Sequence, residues 1–328
     1  MCTANLIHRK AGLEDLRKIM FLCAQDEVLY DPDVWRSLPA LLEDLIRREL
    51  VSFAIIQSVP GHVPRAITGI SFIHPGYVAE ALTTRSTVPN TVMSAALCGR
   101  NPFLSPKEIG AENARGELHL LNFLGIQDCL KPQKPESAAH QSTLYEEHRF
   151  FHFGYSYKAM WFEVWPAHQV ETLQNLGMRI ERSIRLDKKT ATLMRFNVDD
   201  AQLNPHAWFS SYFFPPKPRF HFSPRQQRLL EGSLLDLSDA DAAHELHLSE
   251  DGIKKRWRSI YTRVNELDPN LLGEMYSGSA QRKCLLRYLR QHLEELRPYT
   301  ERRAVLNNET PSPRCSRVHE SSQFQSEI

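Results

Sequence analysis

Hydrophobic and polar positions alternate with two different periods along this chain, and the period changes once. From residue 7 to about 198 the text mixes the helical period with the strand period. "AGLEDLRKIMFLCAQ" sets Leu13, Leu16, Ile19, Met20 and Cys23 at helical spacing, and "VWRSLPALLEDLIRREL" does the same with Leu41, Leu42, Leu45 and Ile46. "VSFAIIQSV" and "AITGISFIHP" predict two neighbouring strands, with Pro60, Gly61 and Pro64 between them as turn residues. A buried strand is predicted at 117–126, another in "YKAMWFEVW", then a helix ending near Gly177 and two further strands, the last in "KTATLMRFNV". The total is about six strands and three or four helices. Residues 77–114 give no clear period.

The second region reads differently. Residues 199–221 hold four prolines (Pro205, Pro215, Pro216, Pro218), which forbid a continuous helix. Trp208, Phe209, Tyr212, Phe213 and Phe214 are too apolar for a free linker. Packing onto a neighbouring domain and an aromatic ligand cage both fit them. From 222 to 299 the period is helical throughout. The final helix carries Leu285, Leu286, Leu289, Leu293 and Leu296 in one stripe, suited either to the core of its own domain or to a dimer contact. Residues 300–328 are polar and predicted disordered. The expected organisation is an α/β domain over 1–198, a Pro/aromatic linker over 199–221, an all-α domain over 222–299, and a tail.

Composition narrows the function. Formal net charge is only +1 over 328 residues, so affinity for a polyanion requires a local concentration of cations. No apolar run nears the roughly 20 residues that span a bilayer, and the first residues lack the apolar core of a secretory signal. Six cysteines (Cys2, Cys23, Cys98, Cys129, Cys284, Cys315) are scattered without C-x-x-C spacing. A reduced cytoplasm without membrane contact is expected.

That local concentration is present. Between 222 and 264 seven basic and seven acidic residues balance, yet five of the cations lie between 254 and 263 and five of the acids before Ser249. Ser223-Pro224, Ser238 and Ser249 are N-cap signals for three successive helices, and His247-Leu248-Ser249 leaves room only for a tight turn. In the third helix Ile253, Trp257, Ile260 and Val264 share the buried stripe. Lys254, Lys255, Arg258 and Thr262 project elsewhere, with Arg256 and Arg263 at the flank.

These residues resemble the LuxR-type helix-turn-helix family of bacterial transcription regulators over 222–265. Phe222-Ser223-Pro224-Arg225 matches the family's opening, Leu237 to Ala243 its second helix, and Leu246, Leu248-Ser249, Ile253-Lys254 and Arg256 its turn and recognition helix. The family's usual glycine is Asp236 here, its threonine Gly252 and its histidine Arg256. The resemblance implies a homodimeric regulator that reads double-stranded DNA in the major groove. Ser249, Lys254, Lys255, Arg256, Arg258, Thr262, Arg263 and Arg225 are the implied contacts.

The layout of 1–198 resembles the acetyltransferase (GNAT) fold, a mixed sheet with flanking helices, including a late helix that ends in Leu176-Gly177-Met178. Active members cradle the pyrophosphate of coenzyme A on a glycine-rich turn after the fourth strand. Here Ile126 is followed by "QDCLKPQKPESAAHQ", with no glycine and two prolines. No cofactor is therefore expected, and the domain is read as a non-enzymatic sensor of a small-molecule effector or a dimerisation surface. The alternative is an N-acyltransferase using acetyl-coenzyme A with an appended helical module. Candidate chemistry elsewhere is sparse. Glu117 and His119 share a strand face, which suits strand pairing or acid–base work. His140, His148 and His152 match no recognised metal spacing, so no metal is expected. Cys129 reads as a plain small side chain.

Overall fold

The computed structural model describes residues 5–24, 30–59, 64–127, 146, 148–165, 167–186, 189–273 and 278–300. Its α/β unit opens with β1 (Asn5–Lys10), a strand missing from the sequence reading. It continues with α1 (Leu16–Cys23), α2 (Pro32–Arg47), β2 (Ser52–Val59) and β3 (Pro64–Phe72). The unassigned stretch is three helices: α3 (Pro75–Thr83), α4 (Val88–Leu97) and α5 (Pro106–Arg115). α3 and α5 start on a proline and α4 has Pro89 at its second position, where a missing N–H costs nothing, and the Thr87 and Ser105 side chains cap the last two. Then follow β4 (Leu118–Gln127), β5 (Tyr157–Val164), α6 (Ala167–Asn175), β6 (Arg179–Leu186), β7 (Lys189–Asn197) and α7 (Val198–Leu203).

The strands form one sheet of seven in the order β1-β2-β3-β4-β5-β7-β6. Every neighbouring pair is antiparallel except β4 with β5. This mixed sheet with flanking helices fits the acetyltransferase-like α/β layout. One face is covered by α1, α2 and α4 through Ile19, Leu38, Leu42, Val92, Phe53 and Phe123. The other packs Leu120, Met160, Phe162 and Met194 against Phe209, Tyr212 and Phe213. The aromatic segment of the linker therefore belongs to the α/β core, with a 3-10 turn over Trp208–Tyr212. Phe214 alone among those five aromatics is largely exposed.

The helical unit has α8 (Pro224–Leu234), α9 (Asp239–Glu245), α10 (Glu250–Leu267), α11 (Pro269–Leu272) and α12 (Gly278–Gln291). Ser223, Ser238 and Ser249 cap the first three through hydrogen bonds to Gln226 N, Asp241 N and Gly252 N. Asp236, in the place of the family's glycine, adopts the left-handed conformation (φ 61°) that glycine takes without strain. The final helix is shorter than its periodicity suggests. It stops at Gln291, and a 3-10 turn, Leu293–Leu296, follows. Leu285, Leu289, Leu293 and Leu296 all lie in the unit's own core beside Ile253, Trp257 and Ile260. The stripe is thus spent on intrachain packing, which corrects its use as a dimer contact.

Candidate functional site

The one parallel strand pair is also the one that separates. β4 and β5 pair only from Leu118/Tyr157 to Asn122/Phe162. Beyond that point β4 stays with β3 as far as Gln127, while β5 stays with β7 as far as Val164. The two limbs diverge, leaving a wedge at the carboxyl ends of the strands, the end where open α/β sheets take ligands. Backbone groups of 123–127 that face β5 have no strand partner among the described residues.

The β3–β4 register slips at the apex, so Phe123 bulges between the pairs Ile70/Asn122 and Gly69/Leu124. Gly69 makes room for it, since a Cβ there would stand 2.7 Å from Phe53 and 3.0 Å from Phe123. The Phe123 carbonyl is held by the buried Tyr30 hydroxyl at 3.3 Å.

Glu163 stands on the β5 limb one residue past the last β4 pair. Its side chain is wholly covered. Oε2 accepts the Val88 N–H, the first amide of α4, at 2.6 Å. Oε1 lies 3.6 Å from the Arg182 guanidinium and has no hydrogen-bond partner among the described residues. Burial pushes the carboxyl up to about 7, against the opposing pull of the Val88 amide and Arg182. Arg182 in turn donates to the carbonyls of Ala81, Thr84 and Ser86. The α3–α4 insertion is thereby tied to the wedge's far limb. Sequence reasoning passed over Glu163; its one signal was an acid inside the apolar run "AMWFEVW".

The other candidates separate. His119 Nδ1 accepts the Trp161 indole N–H at 3.3 Å, which places the imidazole proton on Nε2 because indole only donates. Burial lowers the pKa of His119. Glu117 instead faces Lys158 at 3.5 Å, so the two do not form an acid–base pair. His148 and His152 lie 4.0 Å apart between ring centroids, tilted by 36°, with Trp208, Phe209 and Tyr212 around His148. Burial drops His148 to about 3, and no three-group metal cluster occurs among the described residues. Cys129, His140 and the stretch from 128 to 145 lie outside the described residues. No helix among the described residues is long and apolar enough to cross a membrane.

On α10 the predicted contacts divide by use. Lys254, Lys255 and Arg258 are exposed; Lys254 has an exposed ion pair with Asp251 at 3.5 Å. Arg256 is half-buried, and its pKa is lowered by burial and by the neighbouring positive charge of Arg225. Arg263 is turned inward, its Nε donating to the Phe220 carbonyl. The Thr262 hydroxyl donates to Arg258 O at 3.1 Å, and Ser249 Oγ is taken by its capping bond. Arg263, Thr262 and Ser249 thus each make an intrachain hydrogen bond, and Thr262 and Ser249 remain exposed.

The helical unit docks at the end of the sheet opposite the wedge mouth. Lys10 meets Glu231 at 3.8 Å and Glu49 meets Arg228 at 3.0 Å. Between the α/β unit and residues 213–218 lies a crevice of about 650 Å³, lined by Arg115, Glu117, Lys158, Asp199, Lys217 and Tyr299 among others.

No family model matches the chain, and no curated protein does. The regulator resemblance of 222–265 gains no support from these comparisons. Among solved structures, the chain is similar to a histone acetyltransferase and related acetyltransferase from Corynebacterium glutamicum. Identity is 14%, coverage 58% of this chain and 94% of that one, and the TM-score 0.34. A ribosomal-protein-S5-alanine acetyltransferase from Vibrio fischeri shares 12% identity over 60% of this chain and 94% of its own, with a TM-score of 0.33. A mosquito arylalkylamine N-acetyltransferase like 5b shares 12% over 59% and 100%, again at 0.33. The reading of the chain as a non-enzyme runs against this finding and is not kept, although the likeness shows a fold and assigns no activity. At such identities the argument for a site rests on the chain's own topology.

Proposed function

We propose that the α/β unit is an N-acyltransferase that takes its acyl group from a thioester of the acetyl-coenzyme A class. The observation that carries this is the parting of β4 and β5 after Asn122 and Phe162. An extended thioester arm laid between the limbs would hydrogen-bond to the β5-facing edge of 124–127, which has no strand partner among the described residues, as an added strand does. The pyrophosphate end would fall to residues after Gln127, where the sequence lacks a glycine turn, so no phosphate contact is assigned. When bound, the thioester supplies an activated acyl carbon. This chain's part is to align the arm, to keep the site dry with Phe123, Trp161 and Phe162, and to hold a carboxyl near neutrality at Glu163. Titration calorimetry with acetyl-coenzyme A, together with thiol release in the presence of primary amines, tests the reading. Saturable binding and amine-dependent thiol release are expected. Absence of binding at millimolar ligand overturns it.

A second reading concerns the helical unit. The half-buried Arg256 feels the positive charge of Arg225, and its chain neighbours Lys255 and Arg258 are exposed; like charges so grouped favour an anionic partner. Double-stranded DNA, met by α10 in the manner of a helix-turn-helix and bound as a homodimer, is the partner this supports. Fluorescence anisotropy with duplex DNA across a salt series decides it, because phosphate contacts make affinity fall steeply with salt. Flat or absent binding removes the reading.

A further inference from the structure

Residues 293–300 cross the closed end of the wedge and touch the approach to both of its limbs. On the β4 side they meet α5, the helix that runs directly into β4. Thr300 N donates to Gly110 O at 2.9 Å, and Asn113 Nδ2 donates to Pro298 O at 2.8 Å. On the β5 side they meet residues 150–156, which run directly into β5. Arg297 Nε donates to Phe153 O at 2.9 Å, and its terminal nitrogen donates to Phe150 O. The same guanidinium lies 4.9 Å from the centroid of the Tyr155 ring.

Two further contacts tighten the junction. Gly154 (φ 92°) lies so close to the strap that a Cβ there would stand 2.5 Å from Glu294 N, so only glycine fits. Asn113 Oδ1 accepts Ser156 N at 2.7 Å, so this one buried amide joins the β4 approach, the β5 approach and the strap. The strap itself is held from the helical side. Glu295 accepts the amides of Arg219 and Phe220, and Gln227 donates to Arg297 O at 2.7 Å. Leu293 to Arg297 are all buried.

We infer that residues 293–300 are a clasp that sets the angle between β4 and β5, so that the helical unit governs how wide the wedge opens. The limbs act as levers. From Asn122 to Gln127 is roughly 17 Å at about 3.3 Å per residue, so a turn of about 10° at the base moves the mouth by roughly 3 Å. Asn113 and Arg297 are positioning residues here. Neither lies at the wedge mouth. The ligand arm of the test rests on the thioester reading; the exchange arm does not.

The test uses the full chain with Arg297→Lys, which keeps the charge but loses the fork that reaches two carbonyls, and with Asn113→Ser. Hydrogen exchange is followed at the amides of 123–127 and 163–164, with those of β2 as internal reference, and acetyl-coenzyme A affinity is measured by calorimetry. The clasp requires at least about tenfold faster exchange at the wedge amides with β2 unchanged, and at least a fivefold change in Kd. Wild-type exchange rates at the wedge in both variants overturn it. So does a uniform rise that includes β2, which would make the strap a general stabilising element. A wild-type chain that does not bind acetyl-coenzyme A defeats the thioester reading alone, and the exchange rates still decide the clasp.

Discussion

The Val88 amide donates to the Glu163 carboxylate at 2.6 Å, joining the first turn of a helix inserted between β3 and β4 to the outer limb of the wedge. The carboxyl is raised to about 7 by burial, so the folded state holds its proton more tightly than the unfolded chain does. Its stabilising contribution is full below the unfolded value of about 4.3 and is lost as pH rises through 7. The full shift corresponds to about 4 kcal/mol at 1.36 kcal/mol per unit. Glu163→Gln removes this slope. The melting temperature of the variant, relative to wild type, is expected to rise between pH 5 and pH 8. A constant offset across that range would refute the linkage.

Asp236 offers a simpler test. A non-glycine residue at φ 61° carries left-handed strain, which is smaller for aspartate than for most residues because its short polar side chain can bond locally. Asp236→Gly is expected to raise the urea midpoint, by up to about 1 kcal/mol in stability. An unchanged or lower midpoint would mean that the carboxylate relieves the strain fully.

The cations of α10 should behave as two classes. Lys255→Ala and Arg258→Ala are expected to leave thermal stability unchanged, while each lowers the slope of log affinity for duplex DNA against log salt by about one. Arg263→Ala should do the reverse. Loss of its bond to the Phe220 carbonyl costs about 1–3 kcal/mol, with the salt slope intact. Anisotropy and thermal melts on the same three proteins separate the classes.

Leu289 is fully buried among the helices of its own unit. Leu289→Ala should cost about 2–5 kcal/mol, the range for a core leucine, without changing the mass seen by light scattering. A shift in oligomeric state at unchanged stability would restore the stripe to an interface.

The cap residues made the helical unit legible, because Ser223, Ser238 and Ser249 announce helix starts by local chemistry alone. β2 to β5 were legible from apolar runs. β1 was not, since "NLIHRK" has too few apolar residues to register against its polar ones. The α3–α5 insertion escaped for a different reason. α4 is buried along most of its length, from Val88 to Met93, so no polar face marks its period. The wedge depends on where pairing stops between strands 30 residues or more apart, and no local pattern encodes that. Glu163 was visible as an acid in an apolar strand, but its partners, Val88 and Arg182, are distant in sequence.

The wedge mouth and the docked helical unit occupy opposite ends of one sheet. On the two readings proposed above, a duplex on the helical unit and a thioester between the limbs would each be held at its own end of the sheet, so an effect of one on the other's affinity would report coupling through the chain.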